Sequence, residues 1–138
     1  MPNSTVVVEA APTETVATVS IPLSELEVAL GAPVSLKGTA RAALESYVRA
    51  HIAVTAADGQ LWVVTQLQIE IDVDDHPQLK LSMRFLPPGG GRHGASSLRY
   101  DAVNHRVASH YVLVYSRVGD KLVPLGRLQS PATTLKLP

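Results

Sequence analysis

The stretch Leu61–Phe85, LWVVTQLQIEIDVDDHPQLKLSMRF, decides the fold class. Leu61, Val63, Leu67, Ile69, Ile71 and Val73 share one parity, and Gln66, Gln68, Glu70 and Asp72 share the other. Successive side chains of a strand point to opposite sides, so this period of two marks a sheet with one wet face. The pattern returns after Asp74-Asp75-His76-Pro77, where Leu79, Leu81, Met83 and Phe85 alternate with Lys80, Ser82 and Arg84. Two such runs around a short turn predict an antiparallel pair. Trp62 falls out of phase with the apolar face. That places it under a helix or in an exposed patch, and makes it a candidate contact residue.

Working upstream, Asp58-Gly59 is a tight-turn signal. Thr39 to about Val54 carries Ala40, Ala43, Leu44, Tyr47, Val48 and His51 at spacings of three and four, which predicts a helix with Thr39 as its cap. Arg41, Glu45 and Arg49 form (i, i+4) charge pairs on another face. Pro22-Leu-Ser-Glu-Leu-Glu-Val-Ala-Leu predicts a shorter helix that stops at Gly31. Proline fits the first turn and glycine the position just past the end. Thr13–Ile21 alternates as a strand. Residues 1–12, with Val6-Val7-Val8 ending at Pro12, give an edge strand or a loose tail.

Downstream, Pro87–Ser97 (PPGGGRHGASS) is the most loop-like segment. Leu98–Arg117, LRYDAVNHRVASHYVLVYSR, is β-like with a bend at Asp101–Asn104. Gly119-Asp120 is a turn. Leu122–Gln129 is a strand whose Pro124 implies an edge or a bulge. Thr133–Leu137 is a last short strand. Seven or eight strands and two helices in 138 residues predict one domain, mostly β, built as an antiparallel β-sandwich that is immunoglobulin-like in the broad sense. A single antiparallel sheet with helices on one face is the alternative.

Twelve basic and twelve acidic residues give no basic footprint, which excludes a nucleic-acid binder. Without cysteine there are no disulfides, thiolate metal sites or cysteine nucleophiles. The first twelve residues lack the basic and apolar regions of an intact signal peptide, and no run of about 18 apolar residues predicts a membrane span. Secretion or membrane segments, if the protein has them, are expected outside this sequence.

Leu98–Arg117 holds two of the five histidines and three of the four tyrosines. A metal site needs converging ligands, with imidazole suiting nickel or zinc. His105, His110 and His93, with His76 as a further donor, are the candidate ligands. His105 and His110 are five apart, so a regular strand sets them on opposite faces, and only a bend brings them together. His51 lies on the apolar helix face and reads as packed. Ser109 and His110 are adjacent, which forbids a nucleophile–base dyad in regular geometry. The glycine-rich loop lacks phosphate-loop spacing, leaving Arg92 and His93 at its tip as contact candidates. Tyr100, Tyr111 and Tyr115 read as strand tyrosines with buried rings, and Tyr111 is also a candidate contact residue.

Leu98-Arg99-Tyr100-Asp101, then His105, Val107, His110, Leu113-Val114 and Arg117, followed by Leu125-Gly126-Arg127-Leu128, resembles the extracytoplasmic N-terminal region of HupE/UreJ-type membrane proteins. Ile21-Pro22-Leu23 with Leu26-Glu27 and Ala29-Leu30-Gly31 is similar to that region's short helix, and Tyr47-Val48, Asp58-Gly59 and Trp62 also match. The family is named for hydrogenase and urease accessory proteins and is associated with nickel transport, whose motifs lie in membrane helices. No residue here inherits that activity. The resemblance implies a soluble domain on the periplasmic or extracellular face of a membrane, with its own membrane segment or another envelope protein as partner.

The functional expectation is a non-enzymatic extracytoplasmic interaction or accessory domain without a cofactor. A module binding nickel or zinc through the strand histidines is the second expectation. A small hydrolase-like enzyme is the third.

Overall fold

The computed structural model describes residues 3–11, 13–88 and 97–138. The chain runs β1 (Asn3–Ala10), β2 (Thr15–Pro22), α1 (Leu23–Leu30), α2 (Gly38–His51), β3 (Ile52–Thr55), β4 (Val63–Asp72), β5 (Gln78–Leu86), β6 (Ser97–Tyr100), β7 (Tyr111–Val118), β8 (Lys121–Gln129) and β9 (Thr134–Lys136). Six strands pair in the order β4-β5-β2-β1-β7-β8, and three in the order β3-β6-β9. The fold is mostly β and sandwich-like, with two helices. One pairing in the larger sheet, β1 with β7, is parallel, so that sheet is mixed.

The tail or edge strand expected over residues 1–12 is instead an inner strand. β1 bonds to β2 on one side and to β7 on the other. Its burial alternates, with Ser4, Val6 and Val8 facing the core. Three consecutive valines carry inward residues only at every second position, and the β7 pairing supplies the second neighbour that the local sequence does not announce.

The inner face of the large sheet presents Val6, Val8, Ala17, Val19, Ile21, Leu79, Leu81, Met83, Phe85, Val112, Val114 and Leu128. The small sheet contributes Ile52, Val54, Leu98 and Tyr100, and the helices Leu26, Ala29, Leu44 and Val48, to one continuous core. Burying each of these larger aliphatic side chains is worth roughly 1.5–3 kcal/mol, so this shared core holds the two sheets together.

α1 begins after Pro22 and ends at Gly31, whose φ of 71° is the left-handed C-terminal conformation that glycine adopts without a Cβ penalty. The Glu27 carboxylate accepts the Val34 N–H at 2.9 Å and ties down the connection to α2. α2 starts earlier than expected, with Lys37 rather than Thr39 at the cap position. It also ends sooner, at His51, because Ile52 enters strand β3.

The β4–β5 pair forms as the alternation predicts, with one change of phase. Val64 pairs with Phe85 and Gln66 with Arg84, so Thr65 is an extra residue in β4. A bulged residue flips the inward parity of everything before it. Leu67, Ile69 and Ile71 turn inward after the bulge, whereas Leu61 and Val63 are 60% and 53% exposed. Trp62 is only 4% exposed. It is therefore a core residue and not the contact residue that unbroken alternation would make it. At the opposite edge, β8 carries Pro124 and a second irregularity: Val114 pairs with Gly126 and Tyr115 with Pro124, leaving Leu125 as the extra residue.

Candidate functional site

The richest cluster of titratable side chains forms where α2, β3 and β6 meet. β3 follows α2 directly, and Ile52 pairs with Tyr100 in antiparallel register. The residue before Ile52 and the residue after Tyr100 therefore face each other. These are His51 and Asp101. The Asp101 N–H donates to the His51 carbonyl at 3.0 Å, and the His51 Nδ1–H donates to Asp101 Oδ1 at 2.7 Å. Residues 101–107 then fold into successive tight turns, closed by His105 N–H to the Asp101 carbonyl at 3.1 Å and Val107 N–H to the Val103 carbonyl at 2.9 Å.

Those turns return His105 to α2. Its ring stacks on His51 with centroids 4.3 Å apart and planes 7° apart. Tyr47, one helical turn before His51, completes the group. The Tyr47 hydroxyl receives the Val103 N–H at 2.9 Å and lies 2.8 Å from His105 Nε2. The phenol oxygen accepts from Val103 with one lone pair and shares a single hydrogen with His105 Nε2 across the 2.8 Å contact. Burial, then the charge of His51, lowers the His105 pKa from its ordinary value. Burial raises the Tyr47 phenol, with Asp101 adding to the shift and the Val103 N–H opposing it.

Val103 sits at the centre of this turn with φ of 67°. A β-branched side chain in the left-handed region is an outlier that costs of order 1–3 kcal/mol, and such strain concentrates at functional sites. The valine side chain is fully buried, so core packing holds the strained backbone in place.

A second polar group is sealed inside the sandwich. Ser4 Oγ lies 2.8 Å from His110 Nε2, and Glu25 Oε1 lies 3.6 Å from His110 Nδ1. Hydroxyl, imidazole and carboxylate are wired in the order of a nucleophilic relay. Ser4 and His110 are both 0% exposed, however, so an acyl substrate has no approach to Oγ in this conformation. Burial lowers the His110 pKa, and Glu25 opposes that shift. Tyr100 is buried beside this group. Burial drives its phenol strongly upward, and the Ser4 hydroxyl offsets part of the shift without completing a hydrogen bond of ordinary geometry.

The sequence-predicted ligands do not come together. His105 is exposed against α2, while His110 is buried against Ser4 and Glu25. The bend at Asp101–Asn104 exists, but it aims His105 outward and leaves His110 at the inner start of β7. His76 lines a separate cleft of about 610 Å³ with Pro22, Glu27 and Pro77. His93 and Arg92 lie outside the described residues. Among the described residues no group of three or more metal-ligating side chains converges. In the stacked pair, His51 Nδ1 is engaged by Asp101 and His105 Nε2 by Tyr47. Tyr111 is half-buried, with the Arg127 guanidinium 4.0 Å over its ring. Tyr100 has the buried ring expected of it.

Sequence reasoning misses His51, Asp101 and Tyr47 as a site. Two spacings of four hint at it, Tyr47–His51 and Asp101–His105, but only the β3–β6 register joins them. No protein-family model matches this chain, and no curated protein matches it.

Proposed function

We propose that this protein is a non-enzymatic interaction domain whose docking element is the β4 edge and whose partner is an extended segment of another envelope protein. The observation that carries the reading is the contrast between the two edges of the large sheet. β8 is guarded by Pro124, an extra residue, Lys121 and Arg127. β4 spans ten residues without lysine, arginine or proline, and past Thr65 it runs regularly to Asp72 with one side unpaired. Past its own extra residue, the regular run 66–72, charged only at Glu70 and Asp72, is a template for strand addition. Exposed Leu61, Val63 and Leu86 lie at its first end, where Val63 pairs with Leu86, and offer the apolar contact that main-chain pairing alone lacks.

The extracytoplasmic placement rests on the likeness to HupE/UreJ-type domains. No helix among the described residues is long and apolar enough to cross a membrane. The non-enzymatic reading is supported by the burial of Ser4 and His110.

The test places a photo-crosslinking amino acid at Val63 and, as a control, at Leu122 on β8. Irradiation with the host envelope fraction should give a discrete adduct from Val63 alone, and Gln68→Lys should abolish it while leaving the fold intact. Equal labelling from both edges, or no adduct, would overturn the proposal. A fluorophosphonate probe that labels Ser4 in the folded protein would instead favour the hydrolase.

A further inference from the structure

We infer that the stacked pair His51–His105 is a proton-operated latch holding the 101–107 turn against α2. The latch has three parts, each visible in the geometry. The rings lie face to face at 4.3 Å, a contact that two neutral imidazoles, or one neutral and one charged, can hold and two imidazolium ions cannot. Tyr47 links the Val103 N–H to His105 Nε2, so the protonation state of the ring sets which of the two groups donates across the 2.8 Å contact. The turn it fastens contains a strained residue, Val103, whose buried side chain is the turn's remaining hold on the core once the His105 contact opens.

Protonation of His105 acts on all three parts. Nε2 becomes an obligate donor, so the phenol oxygen must accept from it as well as from Val103 and turn its own proton elsewhere. The ring then faces His51 and, within its own turn, Arg106, which also opposes the added charge. Asp101 is the only carboxylate among the groups acting on His105, and it already accepts the His51 Nδ1–H. From the neighbouring strand, the Arg99 guanidinium donates to the Ala50 carbonyl at the end of α2, adding a further cation beside the helix terminus. The proton added to His105 therefore meets the His51 charge with the one nearby carboxylate already engaged, and the contact that yields is the exposed one, His105 on α2. Partial burial and the His51 charge, which both disfavour the charged ring, place the opening on the acid side of the ordinary histidine range.

Release of the turn is local. β1, β2 and β5 lie elsewhere in the core, and the turn joins β6 to β7 without belonging to either. The expected result is a change in protection confined to residues 101–107 and Tyr47.

Backbone hydrogen exchange, corrected for intrinsic rates, tests this between about pH 7.5 and about pH 5. The amides of Val103 and His105 should lose protection by about tenfold or more, while Val6 and Val19 in the central strands keep theirs. His105→Gln should abolish the pH dependence at Val103. Because this variant alters an exposed ring, the protection of Val6 reports whether it folds, and His105→Phe, which keeps a stacking ring without a titrating nitrogen, serves as the second variant. Protection at Val103 that is flat with pH, that falls together with Val6, or that still falls in both folded variants would overturn the latch.

Discussion

His51 and Asp101 hold each other twice, once by backbone and once by side chain. The Asp101 N–H reaches the His51 carbonyl at 3.0 Å, and the His51 ring reaches the Asp101 carboxylate at 2.7 Å. The backbone bond extends the β3–β6 register by one pair. The side-chain bond locks the helix terminus to the turn. Both side chains are about a quarter exposed, so solvent weakens the interaction. Asp101→Ala should cost about 1 kcal/mol in urea unfolding, and Asp101→Asn, which keeps an acceptor, roughly half of that. An Asp101→Ala loss no larger than that of the exposed Asp75→Ala would show that the backbone bond alone sets this corner.

Val103 allows the strain to be measured directly. In an ordinary conformation Ala is favoured over Gly, because Gly loses more backbone freedom on folding. At φ of 67° the order reverses, since only Gly lacks the Cβ that crowds the left-handed region. Both substitutions lose the same buried valine packing, so their difference isolates the backbone. Val103→Gly should be more stable than Val103→Ala by about 1 kcal/mol. A more stable alanine variant would refute the strain.

Trp62, the single tryptophan, tests the Thr65 bulge. Its emission should be that of a buried indole and resist quenching by iodide. Trp62→Ala should cost about 3–5 kcal/mol, whereas Leu61→Ala and Val63→Ala should change stability by no more than about 0.5 kcal/mol. Deleting Thr65 should leave Trp62 buried, because removal of the extra residue makes Val64 and Gln66 neighbours in a regular alternation with the same inward phase. Emission that shifts to the exposed value in the deletion variant would contradict this register.

The contrast between Trp62 and Ile69 shows what the sequence carries and what it omits. The parity of Ile69, Ile71, Leu79 and Leu81 survives into the structure because nothing interrupts the pairing between them. The parity of Leu61 and Val63 does not, because a bulge is a property of two strands and leaves no mark in one. Pro22 and Gly31 bracket α1 legibly, since each acts through its own backbone. The interior place of β1 is not legible, because it depends on a parallel partner more than a hundred residues away. The histidine cluster follows the same rule. Spacing places Tyr47 above His51 and Asp101 near His105, while the register that unites the two pairs is a long-range fact.

His110 makes a prediction with a definite sign. Burial holds its folded pKa below the ordinary 6.5, so the unfolded chain binds a proton that the native state refuses. Stability from this group is therefore complete above about pH 6.5 and falls as the pH drops below it, by up to about 1.4 kcal/mol per unit, until the folded pKa is reached. His105 is shifted the same way and adds to the slope. His110→Gln should remove up to one proton from the pH dependence of unfolding below about pH 6.5, whatever it does to absolute stability. Glu25→Gln should act oppositely. Glu25 favours the charged ring from 3.6 Å, so its loss lowers the folded pKa further and carries the acid destabilisation to lower pH. A slope unchanged by His110→Gln would mean that the buried imidazole is not what acid attacks, and would leave the exposed His105 to account for it.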